Sequence, residues 1–539
     1  MSYRNSLRNI FLPLLLAIVL IVGILLGKMV DFSSDEAVNS PRSGAPIGSF
    51  SKLDEVLNAL STMYVDTIDK EKMVEKTIPE MLKQLDPHTV YIPKKELETV
   101  NSELDGKFSG IGVQFNIQSD TVVVVAVVSN GPSQKLGVLP GDRIVMVDDS
   151  IFTGKKVTNN YVLSKLRGKQ GTMVKLGVHR KGSPSIINFN IVRDEIPVNT
   201  VDIAYMLNST IGYIRVDRFG QNTYQEFMTG LAKLRTQGME ELVIDLRGNS
   251  GGYLDVAINM CNEFLPKGAL IVYTQGRTNE RQNVYADGTG TMQNIKVAAI
   301  IDEYSASASE ILSGALQDND RGVIVGHRSF GKGLVQQQMK LSDGSAMRIT
   351  IARYYTPSGR CIQKPYNEGV DAYYSDLSNR FKHGEAFSKD SITYKDTVQY
   401  KTVSGRVVYG GGGIMPDLFV PTDTTRLTPT YYSLWNKGNL YKFAFDLVDQ
   451  NRAQYNTFKT VPDLVAHLNK NLIFEKFVSQ AVKQGAVVKE SELKLSKELL
   501  TTELNAIVCR NIFEEEGYFP LLNAIDPTVN KTIEELSKK

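Results

Sequence analysis

The chain has 539 residues, of which 42% are hydrophobic and 22% are charged, and its formal net charge is +2. This length exceeds one ordinary core, so we expect several domains, and a charge so near zero favours no nucleic-acid partner. Three cysteines, Cys261, Cys361 and Cys509, are too few and too far apart for a metal cluster or a disulfide framework.

The N-terminus contains an uncharged apolar run, "IFLPLLLAIVLIVGILLG", at residues 10–27. At about 1.5 Å per helical residue it covers the hydrocarbon core of a bilayer. Arg4 and Arg8 precede it, so the positive-inside rule leaves the N-terminus in the cytoplasm. We predict an uncleaved anchor in residues 1–30. A cleaved signal peptide is the alternative, but the run is long for one and no small-x-small site follows closely.

Two segments lead from the anchor to the first β-rich region. Residues 31–50 are rich in Ser, Gly and Pro, which predicts a flexible linker. Residues 51–105 carry apolar side chains at helical spacing, for example Leu53, Val56 and Leu60, so we predict a small helical segment. The stretch "LDPHTVYIP" interrupts it as a turn.

Residues 106–195 alternate short β-rich runs with Gly and Pro, as in "SGIGVQF", "TVVVVAVV" and "GVLPGDRIVMVDD". These motifs resemble a PDZ domain. In PDZ domains an extended peptide joins a free sheet edge, and loop amides hold its terminal carboxylate. The resemblance assigns that role to the amides of Ile111, Gly112 and Val113. For this loop alone, a glycine-rich turn between strands is the open alternative.

Residues 196–421 alternate strand-like and helix-like runs, from "IGYIRV" through "LVIDLR" and "VAAIID" to the helix after "SASASE". This alternation predicts an α/β core with substantial parallel pairing. Residues 365–405 are polar, Tyr-rich and poorly periodic, and we interpret them as an insertion in the core. Residues 422–539 are rich in helix patterns and form a C-terminal extension.

The stretch "EYSASASEIL" places Ser307 between a predicted strand and a predicted helix. A strand-to-helix turn exposes a nucleophile beside helix-end amides. Ser307 and Glu310 also match S-x-x-E, a helix capping box, so the hydroxyl has a purely structural alternative. A serine is a poor nucleophile unless a base is close.

Two residues compete as that base. His327 has no Asp or Glu near it in the sequence to orient its ring. Lys332 lies between two glycines in "FGKG", and it can accept a serine proton only if burial lowers its pKa from about 10.4 by about three units. A solvated lysine is the alternative. Ser329 with Lys332 also matches the S-x-x-K pattern of penicillin-recognising enzymes, but the glycines disfavour the helix it needs and no S-D-N or K-T-G companion follows.

The motif "SASASEILSGALQDNDRGVIVGHRSFGKGLVQQ" resembles the signature of carboxy-terminal processing, or tail-specific, proteases. The segments "LDPHTVYIP", "LVIDLRGNSGG", "RYYTPSGRCIQ" and "GGGGIMPD" and the embedded PDZ domain match the same family in order, over about residues 50 to 420. The resemblance implies a multidomain α/β protein, α+β overall, with a crotonase/ClpP-like protease core. It makes Ser307 the nucleophile, Lys332 the base and Gln336 the residue that orients the lysine.

The same resemblance implies an oxyanion hole made of the Ala308 amide and a glycine amide, from either Gly251 or Gly252. Asp245 and Arg247 of the "DLR" motif are interpreted as structural supports.

We therefore expect a serine endopeptidase that binds protein C-termini on its PDZ domain and cuts through an acyl-enzyme on Ser307. It needs no metal or organic cofactor and binds no nucleic acid; a homo-oligomer and an adaptor remain open as partners. The anchor predicts a single-pass protein of the bacterial inner membrane with its catalytic body in the periplasm. The alternative is a catalytically silent membrane-tethered PDZ scaffold, which would have a broken set of Ser307, Lys332 and Gln336.

Overall fold

The computed structural model describes residues 50–104, 106–118, 120–128, 130–393 and 398–538. It divides into two units, residues 1–74 and residues 75–539. The predicted anchor and nearly all of the predicted linker lie outside the described residues. Within the described ranges, no helix combines the length and the apolar character needed to cross a membrane.

The predicted N-terminal helical segment contains three helices and one short strand. They are α1 (Phe50–Met63), α2 (Lys70–Leu82), β1 (Val90–Ile92) and α3 (Lys94–Leu104). The turn before β1 is built on Asp86, whose carboxylate accepts hydrogen bonds from the main-chain N–H groups of His88 and Thr89. The strand β1 then pairs antiparallel with residues 346–348, so the "LDPHT" motif reaches the protease core.

The PDZ segment is mainly β, as predicted. Its elements are β2 (Lys107–Gly110), β3 (Val113–Gln118), β4 (Thr121–Val127), α4 (Pro132–Lys135), β5 (Arg143–Val147), β6 (Ser150–Ile151), α5 (Asn159–Leu166), β7 (Met173–His179), β8 (Ile187–Val192) and β9 (Asp194–Pro197). The sheet order is β3-β4-β5-β7-β8, with β6 on β5, and β2 pairs with β9. Because β2 and β9 begin and end the segment, their pairing closes the inserted domain. Its core is rich in β-branched residues such as Val122, Val124 and Ile144.

The protease core is built on two sheets. Its elements are β10 (Val201–Met206), β11 (Ile211–Val216), α6 (Thr223–Thr236), β12 (Glu241–Asp245), α7 (Leu254–Asn262), β13 (Leu270–Gln275), β14 (Gln282–Tyr285), β15 (Lys296–Ile301), α8 (Ala308–Asp318), β16 (Val323–Gly326), β17 (Leu334–Lys340), β18 (Ala346–Tyr355) and β21 (Leu418–Phe419). One sheet has the order β10-β11-β12-β15-β16-β21 and is parallel from β11 to β21. The predicted parallel α/β core is therefore confirmed. The second sheet has the order β1-β18-β13-β14, with β17 on β18, and all its pairs are antiparallel.

The parallel sheet is covered on both faces. One face packs against α6, α7 and α8 in a cluster that includes Leu231, Met260 and Leu312. The other face carries Tyr213 and Ile300 and packs against residues from the chain's last helices. Burial on both faces explains why these strands are continuous apolar runs in the sequence.

The insertion at 365–405 contains a helix, α9 (Val370–Lys382), a short 3₁₀ helix (Lys389–Ser391) and the paired strands β19 (Gln399–Lys401) and β20 (Val407–Tyr409). The sequence shows no apolar period for α9 because two of its inward positions are Tyr373 and Arg380, which bury polar atoms as well as carbon.

The C-terminal extension is helical, as predicted. Its helices are α10 (Pro429–Lys437), α11 (Leu440–Tyr455), α12 (Val461–Lys470), α13 (Ile473–Lys483), α14 (Glu490–Phe513), α15 (Phe519–Ala524) and α16 (Pro527–Leu536), with a 3₁₀ turn at Glu514–Gly517. The extension has its own core, centred on Leu434, Phe477 and Leu504. Val529 and Leu536 of α16 join the core under the parallel sheet.

Candidate active site

Ser307 lies at the turn between β15 and α8, where it is the N-cap residue of the helix. Its backbone has φ 55° and ψ −111°, a positive φ that non-glycine residues adopt rarely and at a cost in free energy. A strained strand-to-helix turn of this kind projects a nucleophilic side chain away from the sheet. The predicted capping interaction with Glu310 is present on the carboxylate side, because the Ser307 N–H donates to Glu310 Oε2 at 2.8 Å.

Glu310 does more than cap the helix, which the sequence did not indicate. Its fully buried carboxylate accepts four hydrogen bonds. The donors are the N–H groups of Ser307, Lys332 (2.8 Å) and Gly331 (2.7 Å) and the hydroxyl of Ser329 (2.5 Å). Burial raises the pKa of Glu310 to about 7, although these hydrogen bonds act in the opposite direction. One carboxylate therefore joins the turn that carries Ser307 to the loop that carries Lys332.

Lys332 lies in the non-helical loop just before β17. Its Nζ donates to Gln336 Oε1 at 3.1 Å, and the Gln336 amide in turn donates to the main-chain oxygen of His88. Burial lowers the pKa of Lys332 to about 8, and the Arg348 guanidinium acts in the same direction. This decrease in pKa is close to the three units that Lys332 needs to accept a serine proton.

The predicted catalytic residues come together in one cavity of about 960 Å³. It is lined by Ser307, Lys332 and Gln336, together with Gly251 and Ala308. Among the hydrogen bonds of the described residues, none joins Ser307 Oγ to Lys332 Nζ. The lysine is instead hydrogen-bonded to Gln336.

Tyr354 is a second contact that sequence reasoning missed. Its side chain is 1% exposed, and its hydroxyl lies 2.5 Å from the main-chain oxygen of Lys332 and 3.1 Å from that of Ser307. The phenol thus bridges the two segments that carry the predicted nucleophile and base. Its place in the "RYYTPSGRCIQ" motif is a signal in the sequence, but the partners lie 22 and 47 residues away.

The glycine motif "GNSGG" lies beside the serine turn. A Cβ on Gly251 would come within 2.7 Å of Ser307 Cβ, so no larger residue fits there. The Gly251 N–H is occupied, since it donates to Asn249 Oδ1 at 2.9 Å. In the described part of the chain, no hydrogen bond uses the N–H of Gly252 or of Ala308.

The "DLR" residues have the structural role that we predicted. Asp245 is fully buried and accepts hydrogen bonds from Arg247 and from the hydroxyl of Tyr213. Arg247 also reaches Asp526 at 2.6 Å, at the start of α16. This pair therefore ties the parallel sheet to the C-terminal extension.

Two alternative assignments from the sequence were Ser329 as the serine of an S-x-x-K motif and His327 as the base. Ser329 is buried and donates to Glu310 outside any helix, so the S-x-x-K arrangement is absent at this position. The expectation that His327 lacks an acidic neighbour is wrong, because its Nδ1 lies 3.3 Å from Glu303 Oε2. That carboxylate is 24 residues away in the chain, and the loop after β15 brings it close. His327 lines a different cavity from Ser307, so the pair of His327 and Glu303 is not placed to act as a base for Ser307.

The predicted carboxylate loop of the PDZ segment lies at the start of β3, which is the edge strand of its sheet. Ile111 is buried, and its carbonyl accepts hydrogen bonds from both the N–H and the hydroxyl of Ser133. Gly112 has φ +73°, a conformation that favours glycine, and Val113 begins the strand. Among the loop hydrogen bonds of the described residues, neither Ile111 nor Gly112 donates its N–H.

Comparison with known proteins identifies the chain. Residues 210–372 match the model of peptidase family S41, residues 109–191 match the PDZ domain, and residues 430–514 match a family of unknown function (DUF8443). A carboxy-terminal-processing protease of Bartonella bacilliformis is 36% identical over 317 residues, which cover 58% of this chain and 72% of that protein. This chain belongs to the carboxy-terminal processing proteases of peptidase family S41.

Two further proteins are similar to this S41 protein. Carboxy-terminal processing protease CtpB of Bacillus subtilis is 34% identical over 316 residues, which cover 58% of this chain and 65% of the length of that relative. A solved structure of the photosystem II D1 C-terminal processing protease is 24% identical and covers 69% of this chain and 92% of its own, with a TM-score of 0.35. The S41 match contains Ser307, Lys332 and Gln336, and the PDZ match contains the predicted carboxylate loop.

Within the residues that the structure describes, no group of three or more His, Cys, Asp or Glu side chains is arranged to hold a metal ion.

Proposed function

We propose that the protein is a serine endopeptidase in which Ser307 is the nucleophile and Lys332 is the general base. Neutral Lys332 accepts the Ser307 hydroxyl proton as the oxygen attacks the peptide carbonyl, and it then gives that proton to the leaving amine. Water next loses a proton to Lys332 and attacks the ester, and the proton returns to the Ser307 oxygen as the acid product leaves. Each cycle consumes one water and restores both side chains.

One observation carries this proposal: Ser307 and a lysine with a pKa of about 8 line the same cavity. At a pH near 7, about a tenth of the lysine is neutral, compared with less than about a thousandth for a lysine of ordinary pKa. Burial therefore raises the supply of usable base by about two orders of magnitude. The hydrogen bond from Lys332 to Gln336 is the resting contact, and substrate binding moves Nζ toward Ser307, since such contacts often tighten only in the complex.

We assign the oxyanion hole to the amides of Gly252 and Ala308. The N–H of Gly251 is already bonded to Asn249, whereas these two amides have no acceptor among the described residues. Both belong to segments that line the cavity around Ser307. Two N–H donors there would stabilise the negative charge that develops on the carbonyl oxygen.

The PDZ domain supports a proposal about the substrate class. The free edge of β3 can take an extended peptide as a further strand, and the amides of Ile111, Gly112 and Val113 would bind its terminal carboxylate. We propose that the ligand is the apolar C-terminal tail of an unfolded or partly unfolded protein. We also propose that residues 1–30 anchor the enzyme in the bacterial inner membrane with its catalytic body in the periplasm, on the sequence evidence of the apolar run and its preceding arginines.

The test is cleavage of fluorescein-labelled casein by the wild type, Ser307→Ala and Lys332→Ala, with Lys340→Ala as a matched control. Lys340 is an exposed lysine on β17, so its removal leaves the cavity intact. We expect cleavage by the wild type and the control, and none by the two active-site variants. A fluorophosphonate probe should label Ser307 in the wild type. Equal cleavage by wild type and Ser307→Ala would contradict the mechanism, and absence of cleavage and of labelling in the wild type would favour the silent PDZ scaffold.

A further inference from the structure

Arg380 of α9 is bonded directly to the loop that leads to Lys332. Its side chain is only 8% exposed, and its guanidinium donates three hydrogen bonds. Nη1 donates to the main-chain oxygen of Ser329 at 3.0 Å, Nη2 donates to that of Arg328 at 2.7 Å, and Nε donates to Glu385 Oε1 at 3.0 Å. One side chain from the insertion thus holds two consecutive carbonyls of the loop at residues 328–333, which is called the lysine loop below.

Glu385, also in the insertion, binds the same loop through the side chain of Arg328. The Arg328 guanidinium forms a two-point ion pair with Glu385, with distances of 2.6 Å and 2.5 Å. All three members of this cluster, Arg328, Arg380 and Glu385, are buried. Buried charges of this kind tolerate little displacement, because the loss of one partner leaves another unpaired out of water.

A second group of contacts joins the insertion to Gln336. The Tyr373 hydroxyl lies 2.8 Å from His88 Nε2, and the main-chain oxygen of His88 accepts the Gln336 amide. The Tyr373 ring meets the ring of Phe330 edge-on, with centroids 5.7 Å apart. Lys364 Nζ lies 4.0 Å from the Phe330 ring centroid and donates to the Tyr373 carbonyl. The insertion therefore contacts the loop beside Lys332 directly, and it is linked to Gln336, which holds Lys332 Nζ, through His88.

This loop needs such contacts. Residues 328–333 lie between β16 and β17 and belong to neither a helix nor a strand. Gly331 has φ +90°, and the glycine on the other side of Lys332 adds further backbone freedom. Glu310 accepts from the N–H groups of Gly331 and Lys332, and Arg380 donates to the carbonyls of Arg328 and Ser329. Main-chain groups of neighbouring segments, such as the carbonyl of Ser305, bond other parts of the loop.

We propose that α9 and the residues up to Glu385 are a positioning element for the general base, with Arg380 as its principal positioning residue. The inference rests on the proposed function, since it assigns a role to the loop that carries the proposed base. Arg380 acts through the main chain of residues 328–329, which keeps Lys332 Nζ beside Gln336 and away from water. The insertion then contributes to catalysis by positioning the loop that carries Lys332.

The charged groups that shift the pKa of Lys332 do not include Arg380, so an effect of Arg380 on the loop can be separated from a direct effect of its charge. These groups are Arg348 of β18, Glu310 of α8 and Asp86 of the N-terminal segment, and Lys332 itself lowers the pKa of His88. The dominant cause is burial. Release of the loop would hydrate Nζ and raise the pKa of Lys332 toward its ordinary value.

The experiment compares Arg380→Gln with Lys382→Gln, an exposed cation on the same helix, in the full-length protein. We measure kcat and KM for fluorescein-labelled casein from about pH 6 to about pH 10, the rate of fluorophosphonate labelling, and thermal unfolding. For Arg380→Gln we expect kcat to fall about 10- to 100-fold with little change in KM, because a misplaced catalytic group costs that much. The acid limb of its pH profile should move to higher pH, and labelling of Ser307 should slow. Lys382→Gln should match the wild type.

A partial recovery of kcat in Arg380→Lys would support the proposal, because lysine can reach one carbonyl but lacks the planar fork. If Arg380→Gln folds and keeps the wild-type acid limb, the proposal is wrong, even if kcat falls with stability. If Arg380→Gln does not fold, the same measurements are made on Arg380→Lys, and an unmoved limb again overturns the proposal. Cleavage by Ser307→Ala equal to that of the wild type would refute the proposed function itself, whereas normal labelling of Ser307 in Arg380→Gln would refute only the inference.

Discussion

Replacement of Lys332 by methionine should abolish proteolysis and yet make the protein more stable near neutral pH. The lysine in the folded chain has a pKa of about 8, compared with 10.5 for the model value, and the main cause is burial. Methionine has nearly the same length and carries no charge to desolvate. The cost of keeping a charged amine in the cavity therefore disappears in Lys332→Met.

The magnitude follows from the difference in pKa. A shift from 10.5 to about 8 corresponds to about 3 kcal/mol, at about 1.4 kcal/mol per unit. Because the folded pKa is below the unfolded one, the wild type has its full stability above about pH 10.5, loses stability as the pH falls from about 10.5 to about 8, and loses no more below that. The lost hydrogen bond to Gln336 subtracts about 1 kcal/mol from the gain. We therefore expect Lys332→Met to be more stable by about 2 kcal/mol near pH 7.

The assay is urea unfolding followed by circular dichroism, for both proteins at about pH 7 and about pH 10.5. The advantage of Lys332→Met should be almost entirely lost at the higher pH, where the wild-type lysine is neutral in the folded protein and about half neutral in the unfolded chain. Lys340→Met is the contrasting variant, since Lys340 is an exposed lysine on β17 and has no buried charge to lose. It should match the wild type at both pH values. A difference between Lys332→Met and wild type that does not change with pH would show that the lysine has an ordinary pKa.

Three further outcomes follow from the site. The kcat/KM of the wild type should rise with pH through about 8, because neutral Lys332 is the active form; a limb below about pH 6 would exclude this base. Glu310→Gln replaces one acceptor oxygen by an N–H₂ group that faces donors, so it should lower the free energy of unfolding by about 2 to 6 kcal/mol and slow casein cleavage, and normal stability would contradict the four-bond arrangement. Gly112→Ala should weaken the binding of a fluorescent apolar C-terminal peptide about tenfold or more in an anisotropy titration, since Gly112 has φ +73° and an added Cβ would lie 3.1 Å from Ile196; unchanged affinity would place the peptide elsewhere.

Much of the fold could be predicted because its signals are local. The alternation of apolar runs and helix patterns predicted the parallel core, and the structure pairs β11, β12, β15, β16 and β21 in parallel. The strand-to-helix turn at Ser307 was also readable, because a serine between a buried strand and a helix start is a pattern of neighbouring residues. The helix α9 was not readable, because the sequence shows no apolar stripe where Tyr373 and Arg380 point inward.

The residue types and the place of the strand-to-helix turn can be predicted from the sequence, since both depend on residues a few positions apart. Three contacts become visible only in the packed protein. A carboxylate on α8 holds the loop at Lys332, Tyr354 bridges the segments of Ser307 and Lys332, and Tyr373 meets His88 from 285 residues away. The physical reason is that a lysine's pKa depends on how much water the packed structure leaves around its amine. That quantity is set by elements distant in the chain, so no local pattern contains it.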